Sequence, residues 1–127
     1  MNLNSNNYSI LLTIKELLGI TQDDNAFDIE ITTHINSVFL DLQQIGIGPK
    51  EGFQITGNRE TWMDFNKDGL LDGSITSFIY LKVKLLFDPP TSASAIESIN
   101  RLLDKTEWRL NLAAELKKDG KEQNQNA

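Results

Sequence analysis

The sequence predicts a mainly α-helical domain, a small bundle of four to five helices with a long C-terminal helix. Apolar residues recur at steps of three and four in several segments, which is the spacing of one helix face. Glycine and proline fall between these segments rather than inside them. The 127 residues include no cysteine, so one ordinary core must hold the fold without disulfides.

The strongest helical pattern follows candidate caps at Thr21–Asp24 and ends at Gly46. A dense apolar run at 75–87 is long for a strand and therefore indicates a helix. Ser94 and Glu97 match a capping box that opens the long last helix, with Leu102 and Leu112 widening its buried face. The predicted helical segments are 8–18, the segment from the caps to Ile45, a turn at 62–65 capped by Thr61, 75–87, and 94 to about 116.

Between the helices, residues 46–74 form an irregular segment, in which 52–56 is either a short strand or an extended loop. The sequence then divides into a flexible N-terminus at 1–7, one helical domain at 8–116 and a disordered tail at 117–127. No basic stretch followed by an apolar block marks a secretory signal, and no apolar run is long enough for a membrane span. We therefore expect an intracellular protein without a membrane partner.

The net charge is −6, and the basic residues are scattered. Tight nucleic-acid binding usually needs a basic stripe, because neutralised phosphates supply much of the affinity. The same balance is compatible with a surface that double-stranded DNA passes without sequence-specific binding. A helix-turn-helix built on the first two helices would bring several acidic side chains to the phosphates, which argues against it.

One loop resembles a calcium-binding pattern, with oxygen ligands at alternate positions followed by Gly69. Position 12 of the pattern is Ile75, so the carboxylate that should close the coordination sphere is missing. A solvated turn explains the same residues. We expect no metal and no cofactor, and keep a small monomeric interaction module with a calcium loop at 64–75 as the alternative function. The candidate ligands are Asp64, Asn66, Asp68 and Asp72.

No residue pattern indicates catalysis. His34 is the only histidine, and the sequence contains no nucleophile motif for which it could act as a general base. Paired with Glu30 it would supply two metal ligands, fewer than a site needs. The glycines do not form a phosphate-binding loop. We therefore expect a protein that is not an enzyme.

A turn and two tryptophans remain as candidate functional features. Phe87-Asp88-Pro89-Pro90 must interrupt the helical pattern, because two prolines cannot continue a helix. We interpret these four residues as a structural hinge. Trp62 and Trp108, the latter followed by Arg109, are either core residues or contacts at an interface.

Taken in order, these features resemble the small head–tail connector (adaptor, head-completion) proteins of long-tailed bacteriophages and prophages. The resemblance covers about Tyr8 to Leu116, and its most specific part is the hinge with the Trp-Arg pair downstream. The motifs that carry it are Ile14-Lys15, Leu18-Gly19-Ile20, Asp23-Asp24, Ile31/Ile35/Val38, Trp62, Ile79 to Leu85, Phe87-Asp88-Pro89-Pro90 and Glu107-Trp108-Arg109-Leu110.

The resemblance implies a virion structural protein of the neck, assembled in the host cytoplasm. About twelve copies would form a ring below the portal protein, extend the DNA channel and dock tail or stopper proteins. A ring requires two different patches that meet across each contact. We expect them near Trp62 and on the faces of the second and last helices that the core leaves free.

Overall fold

The computed structural model describes residues 8–125, with side chains over 8–120. The predicted flexible segment at 1–7 and the last two residues of the predicted tail lie outside the described residues. Residues 8–125 form five helices, which confirm the predicted helical class. They are α1 (Ile10–Leu17), α2 (Asp28–Gln44), α3 (Trp62–Phe65), α4 (Asp72–Phe87) and α5 (Ala93–Gln125).

Two of the helices begin at side-chain caps of the kind the sequence suggests. The Ser9 hydroxyl accepts a hydrogen bond from the Leu12 N–H at the start of α1. At α3, the Thr61 hydroxyl accepts from the Asp64 N–H, and the Asp64 carboxylate accepts from the Thr61 N–H. This reciprocal capping box stabilises a helix of a single turn, whose Trp62 and Phe65 are also buried in the core.

The start and end predicted for the last helix were wrong. The Ser92 hydroxyl, rather than that of Ser94, accepts a hydrogen bond from the Ala95 N–H, so the helix begins at Ala93. The helix also continues past Leu116 to Gln125. Most of the segment 117–127 is therefore helical backbone.

Of the two alternatives for 52–56, the extended loop is correct, since residues 8–125 contain only an isolated bridge between Ser9 and Thr61. Asn36 on α2 holds this stretch instead. Its side-chain amide donates to the Ile55 carbonyl at 2.9 Å and accepts from the Ile55 N–H at 2.8 Å. The amide of Asn36 thus reproduces the paired hydrogen bonds that a neighbouring strand would supply, and Ile55 is buried.

Aromatic packing fixes the rest of this segment. The rings of Phe39, Phe53 and Phe65 meet pairwise, with centroids 4.6–5.4 Å apart. Gly48 passes against the Phe65 ring with φ +90°, where any side chain would clash. The irregular segment is therefore an ordered loop packed on α2 and α3.

The core lies where α2 and α4 pack together, with α1 against both and α5 against α4. Helix α5 contributes one face to it, formed by Leu103, Thr106 and Leu110. The other buried apolar residues are Ile10, Leu11, Ile14, Ile31, Ile35, Val38, Phe39, Leu42, Ile55, Trp62, Phe65, Ile75, Phe78, Ile79 and Val83.

One buried residue is charged. The Lys15 side chain on α1 is only 1% exposed, and its Nζ lies 2.9 Å from Asp28 Oδ1 and 3.2 Å from the Gln22 carbonyl oxygen. Asp28 is the first residue of α2 and is 30% exposed. The pair ties α1 to the start of α2, because an ammonium group in a core needs a partner of opposite charge.

The residues of the proposed hinge connect α4 to α5. Helix α4 ends at Phe87, whose ring meets that of Phe27 edge-on at 5.3 Å. Asp88 follows, with its carboxylate 3.0 Å from Lys84 Nζ. After Pro89-Pro90 the chain reverses, and α5 runs back along α4.

Candidate interaction surface

The structure gives the two tryptophans different environments. Trp62 is 2% exposed, and its Nε1–H donates to the Thr13 hydroxyl at 3.1 Å. Its ring therefore belongs to the core and is not accessible to a partner. Trp108 on α5 is 66% exposed, and the neighbouring Arg109 is exposed as well.

Trp108 belongs to a larger exposed surface on α5, beside the face that enters the core. Residues 105, 109, 112 and 116 recur at steps of three and four, as do 105, 108 and 112, so these side chains share one side of the helix. Leu102 borders the same side. We call this surface the α5 stripe. It comprises Leu102, Lys105, Trp108, Arg109, Leu112 and Leu116, and its three leucines are 49%, 40% and 62% exposed.

The prediction that Leu102 and Leu112 widen the buried face was therefore wrong. The core takes a narrow row of α5, at Leu103, Thr106 and Leu110, and leaves the adjacent apolar row outside. Sequence spacing shows that two apolar rows exist. It does not show which of them meets the bundle.

The charges within the α5 stripe are unpaired. Lys105 and Arg109 form no ion pair or side-chain hydrogen bond with the residues that the structure describes. One turn earlier, Arg101 lies 3.7 Å from Glu97, but both side chains are about 70% exposed. Such a pair contributes little in water. The stripe is thus apolar with a basic N-terminal half.

A second exposed surface combines apolar and acidic side chains at the start of α2. We call it the acidic patch. It comprises Asp23, Asp24, Phe27, Ile29 and Glu30, with Ile29 85% and Phe27 43% exposed. Residues 16–49 include six acidic residues and no lysine or arginine. The charge of this segment, −6, equals the net charge of the whole chain. Asp28 and Asp41 are paired with Lys15 and Lys82, so the acidic patch itself contributes three carboxylates, those of Asp23, Asp24 and Glu30.

The four candidate calcium ligands have other partners. The Asp64 carboxylate caps α3, as described above. The Asn66 amide donates to the Leu70 carbonyl at 2.6 Å and to Asp72 Oδ1 at 2.8 Å. The Asp68 carboxylate accepts from the Leu70 N–H. These contacts describe a side-chain-stabilised turn rather than a set of oxygens pointing at one ion.

The pKa of the Asp68 carboxyl is also set by contacts within the chain. The hydrogen bond from the Leu70 N–H lowers the pKa of the Asp68 carboxyl below its usual value, although slight burial opposes this. Lys117 on α5, whose Nζ lies 3.2 Å from Asp68 Oδ2, lowers that pKa further. The carboxylate is thus stabilised by groups of the chain itself. Lys117 also ties α5 to the loop that precedes α4.

Among residues 8–120, His34 and Glu30 are the remaining pair of side chains that the sequence suggests as metal ligands. His34 Nε2 lies 3.7 Å from Glu30 Oε1, one turn away on α2. Among the residues with described positions, no three histidine or acidic side chains are grouped so that they could hold a metal ion. The same part of the chain contains no helix with the length and apolar character of a membrane span.

Comparison with known proteins adds one finding. A family model described as phage connector protein matches residues 10–117. The match covers α1 to α4 completely and α5 as far as Lys117. No curated protein and no solved structure gave a significant match. The matched range agrees with the extent of the resemblance seen in the sequence.

Proposed function

Because the chain belongs to the phage connector family, we propose that it is the head–tail connector of a tailed phage or prophage. About twelve copies would form a ring below the portal protein and continue its DNA channel. The far side of the ring would dock tail or stopper proteins. The protein would assemble in the host cytoplasm and reside in the virion neck, in contact with other head and tail proteins.

The observation that best supports this proposal is the α5 stripe. Its helix completes the core with one face and exposes a tryptophan and three leucines on another. Exposed apolar surface of this kind is typical of contact sites, and tryptophan and arginine are enriched among the residues that dominate binding. A domain with a complete core and a second apolar face suits a subunit that is built into a larger assembly.

The charge of the chain suits a channel for DNA. An acidic surface repels phosphates, so a duplex can move past it without being held. We propose that double-stranded DNA is a passing occupant of the ring and not a sequence-specific ligand.

We also propose that the role is structural and not catalytic, and that it needs no cofactor. The loop at 64–75 supports this, since its carboxylates already cap a helix, close a turn or meet a lysine. Thermal unfolding with and without millimolar calcium tests the alternative of a calcium module. We expect no change in melting temperature, and a clear increase would favour the alternative.

The decisive experiment is deletion of the coding gene from a phage or prophage that carries it. We expect heads that package DNA but do not join to tails, and that lose their DNA on isolation. Supplying the protein from a plasmid should restore tailed particles. Normal yields of infectious, tailed particles from the deletion strain would overturn the proposal.

A simpler observation is the order of neighbouring genes. Portal, protease and capsid genes directly upstream would support a role at the head–tail junction. An isolated gene outside any phage or prophage region would argue against it.

A further inference from the structure

We infer that the α5 stripe of one copy binds the acidic patch of the next copy. This inference rests on the proposed function, since it names the two surfaces that join neighbouring connectors. Each surface is exposed in the single chain, each includes large apolar side chains, and their charges are opposite. The occupant of the α5 stripe is therefore a second copy of this chain.

Charge complementarity is the first argument. Lys105 and Arg109 are the unpaired charges of the stripe, and Asp23 has no partner among the described residues. Glu30 has only a 3.7 Å contact with His34. In the chain as a whole, acidic residues outnumber basic ones by eighteen to twelve. A stripe that carries only positive charge in such a protein would be attracted to the three carboxylates of the acidic patch.

Apolar matching is the second argument. The C-terminal half of the stripe presents Trp108, Leu112 and Leu116, and the acidic patch presents Phe27 and Ile29. Such residues form the buried centre of a protein–protein contact, while charged residues surround it. The stripe from residue 102 to residue 116 is about 21 Å long at 1.5 Å per residue, a length comparable to one side of a modest interface.

A contact between the α5 stripe and the acidic patch is consistent with an open or ring-shaped assembly. The stripe and the patch are different surfaces of one chain, so a contact between them is heterologous. The copies at the two ends of a series leave one stripe and one patch free until the series closes on itself. A two-fold dimer in which each stripe meets the other copy's patch would use the same surfaces, and the mass of the assembly distinguishes it from a ring.

The test is a pair of charge-reversed variants. Lys105→Glu/Arg109→Glu makes the stripe acidic, and Asp23→Lys/Glu30→Lys makes the patch basic. Asp24 is left in place because its carboxylate accepts a hydrogen bond from the Ala26 N–H. Every contact between identical copies of either variant then joins like charges. In a mixture, the acidic stripe of one variant faces the basic patch of the other, and the basic stripe faces the acidic patch.

Light scattering after size-exclusion chromatography measures the association. We expect the wild-type chain to associate, each variant alone to associate at least about a hundredfold more weakly, and the mixture to recover association in low salt. Raising the salt concentration should weaken the wild-type complex, because exposed charges are screened. Lys50→Glu/Lys67→Glu, which has the same net charge as the stripe variant, should behave as wild type.

Cross-linking tests the contact when association is too weak for light scattering. The chain has no cysteine, so Ile29→Cys and Leu112→Cys each introduce a single reactive group. With a short bismaleimide, a mixture of the two single variants should give cross-linked dimers faster than either variant alone.

Either of two results overturns the inference: variants that associate as wild type does, or a mixture that stays dissociated and gives no preferred cross-link. A portal protein or DNA as the true occupant of the stripe would produce the second result. The proposed function is judged separately by the gene deletion, which does not depend on which surfaces meet.

Discussion

The buried ion pair between Lys15 and Asp28 gives the sharpest prediction about stability. Asp28→Ala leaves an ammonium group that is 1% exposed, with only the Gln22 carbonyl 3.2 Å away as a partner. Breaking a buried pair by removing one partner typically costs about 3–5 kcal/mol. Because Asp28 is 30% exposed and water already reaches it, we expect the low end, about 3 kcal/mol.

Removal of the other partner should cost much less. Lys15→Met keeps most of the apolar stem that packs in the core and removes the charge. The remaining Asp28 carboxylate is partly solvated and lies in the first turn of α2, where the helix dipole favours a negative group. We expect a loss of about 1 kcal/mol or less, since buried ion pairs are often replaceable by apolar residues. Lys15→Met should therefore restore stability to Asp28→Ala when the two are combined.

The chain offers a matched control. Lys82 Nζ and Asp41 Oδ2 are also 2.9 Å apart, but these side chains are 28% and 41% exposed. Exposed pairs contribute about 0–1 kcal/mol, so Asp41→Ala should cost less than about 1 kcal/mol. The two pairs have the same separation and differ in burial, which makes burial the tested variable.

Urea denaturation of the four variants measures these free energies, and thermal unfolding should show a decrease in melting temperature of roughly 10 °C for Asp28→Ala. The reasoning fails if Asp28→Ala and Asp41→Ala are equally destabilising. It also fails if Lys15→Met lowers the stability of Asp28→Ala further. Either result would mean that the ammonium of Lys15 reaches water in solution.

Three further predictions concern the loop and the hinge. Asn36→Ala removes two hydrogen bonds to the loop backbone, so we expect a loss of about 2–3 kcal/mol and faster amide exchange in residues 52–56. Gly48→Ala should lower the free energy of unfolding in urea clearly more than Gly19→Ala does, because both glycines have positive φ but only Gly48 faces the ring of Phe65. Equal losses would show that the contact between Gly48 and Phe65 does not limit the size of the side chain. Pro89-Pro90→Ala-Ala should leave the circular dichroism of the domain nearly unchanged while it alters the angle of α5 and impairs ring assembly, and normal assembly by this variant would show that the hinge is incidental.

The helices were predictable from sequence because their signals are local. The steps of three and four around Ile31 and Ile35, and the cap at Thr61, depend on residues within one or two turns of each other. The irregular character of residues 46–61 was predictable for the same reason, from the positions of glycine and proline.

The contacts that organise the tertiary structure were not predictable in this way. Lys15 and Asp28 are separated by a turn with no regular pattern, and Asn36 reaches a backbone nineteen residues away. A lysine and an asparagine on amphipathic helices are usually solvated, and nothing in their own neighbourhood indicates burial. Likewise, the sequence of α5 does not show which of its two apolar rows packs against α4. Only the tertiary structure shows that Leu102 and Leu112 lie on the exposed row.

The two hydrogen bonds between the Asn36 amide and the backbone of Ile55 have a consequence for assembly. A segment that becomes ordered only on binding loses about 1–2 kcal/mol of backbone entropy per residue at that moment, and this loss weakens the complex. Here the amide of Asn36 and the aromatic cluster have already restricted the loop within the single chain. A neighbour that contacts the loop meets a preorganised surface, so copies can join and separate without a folding step.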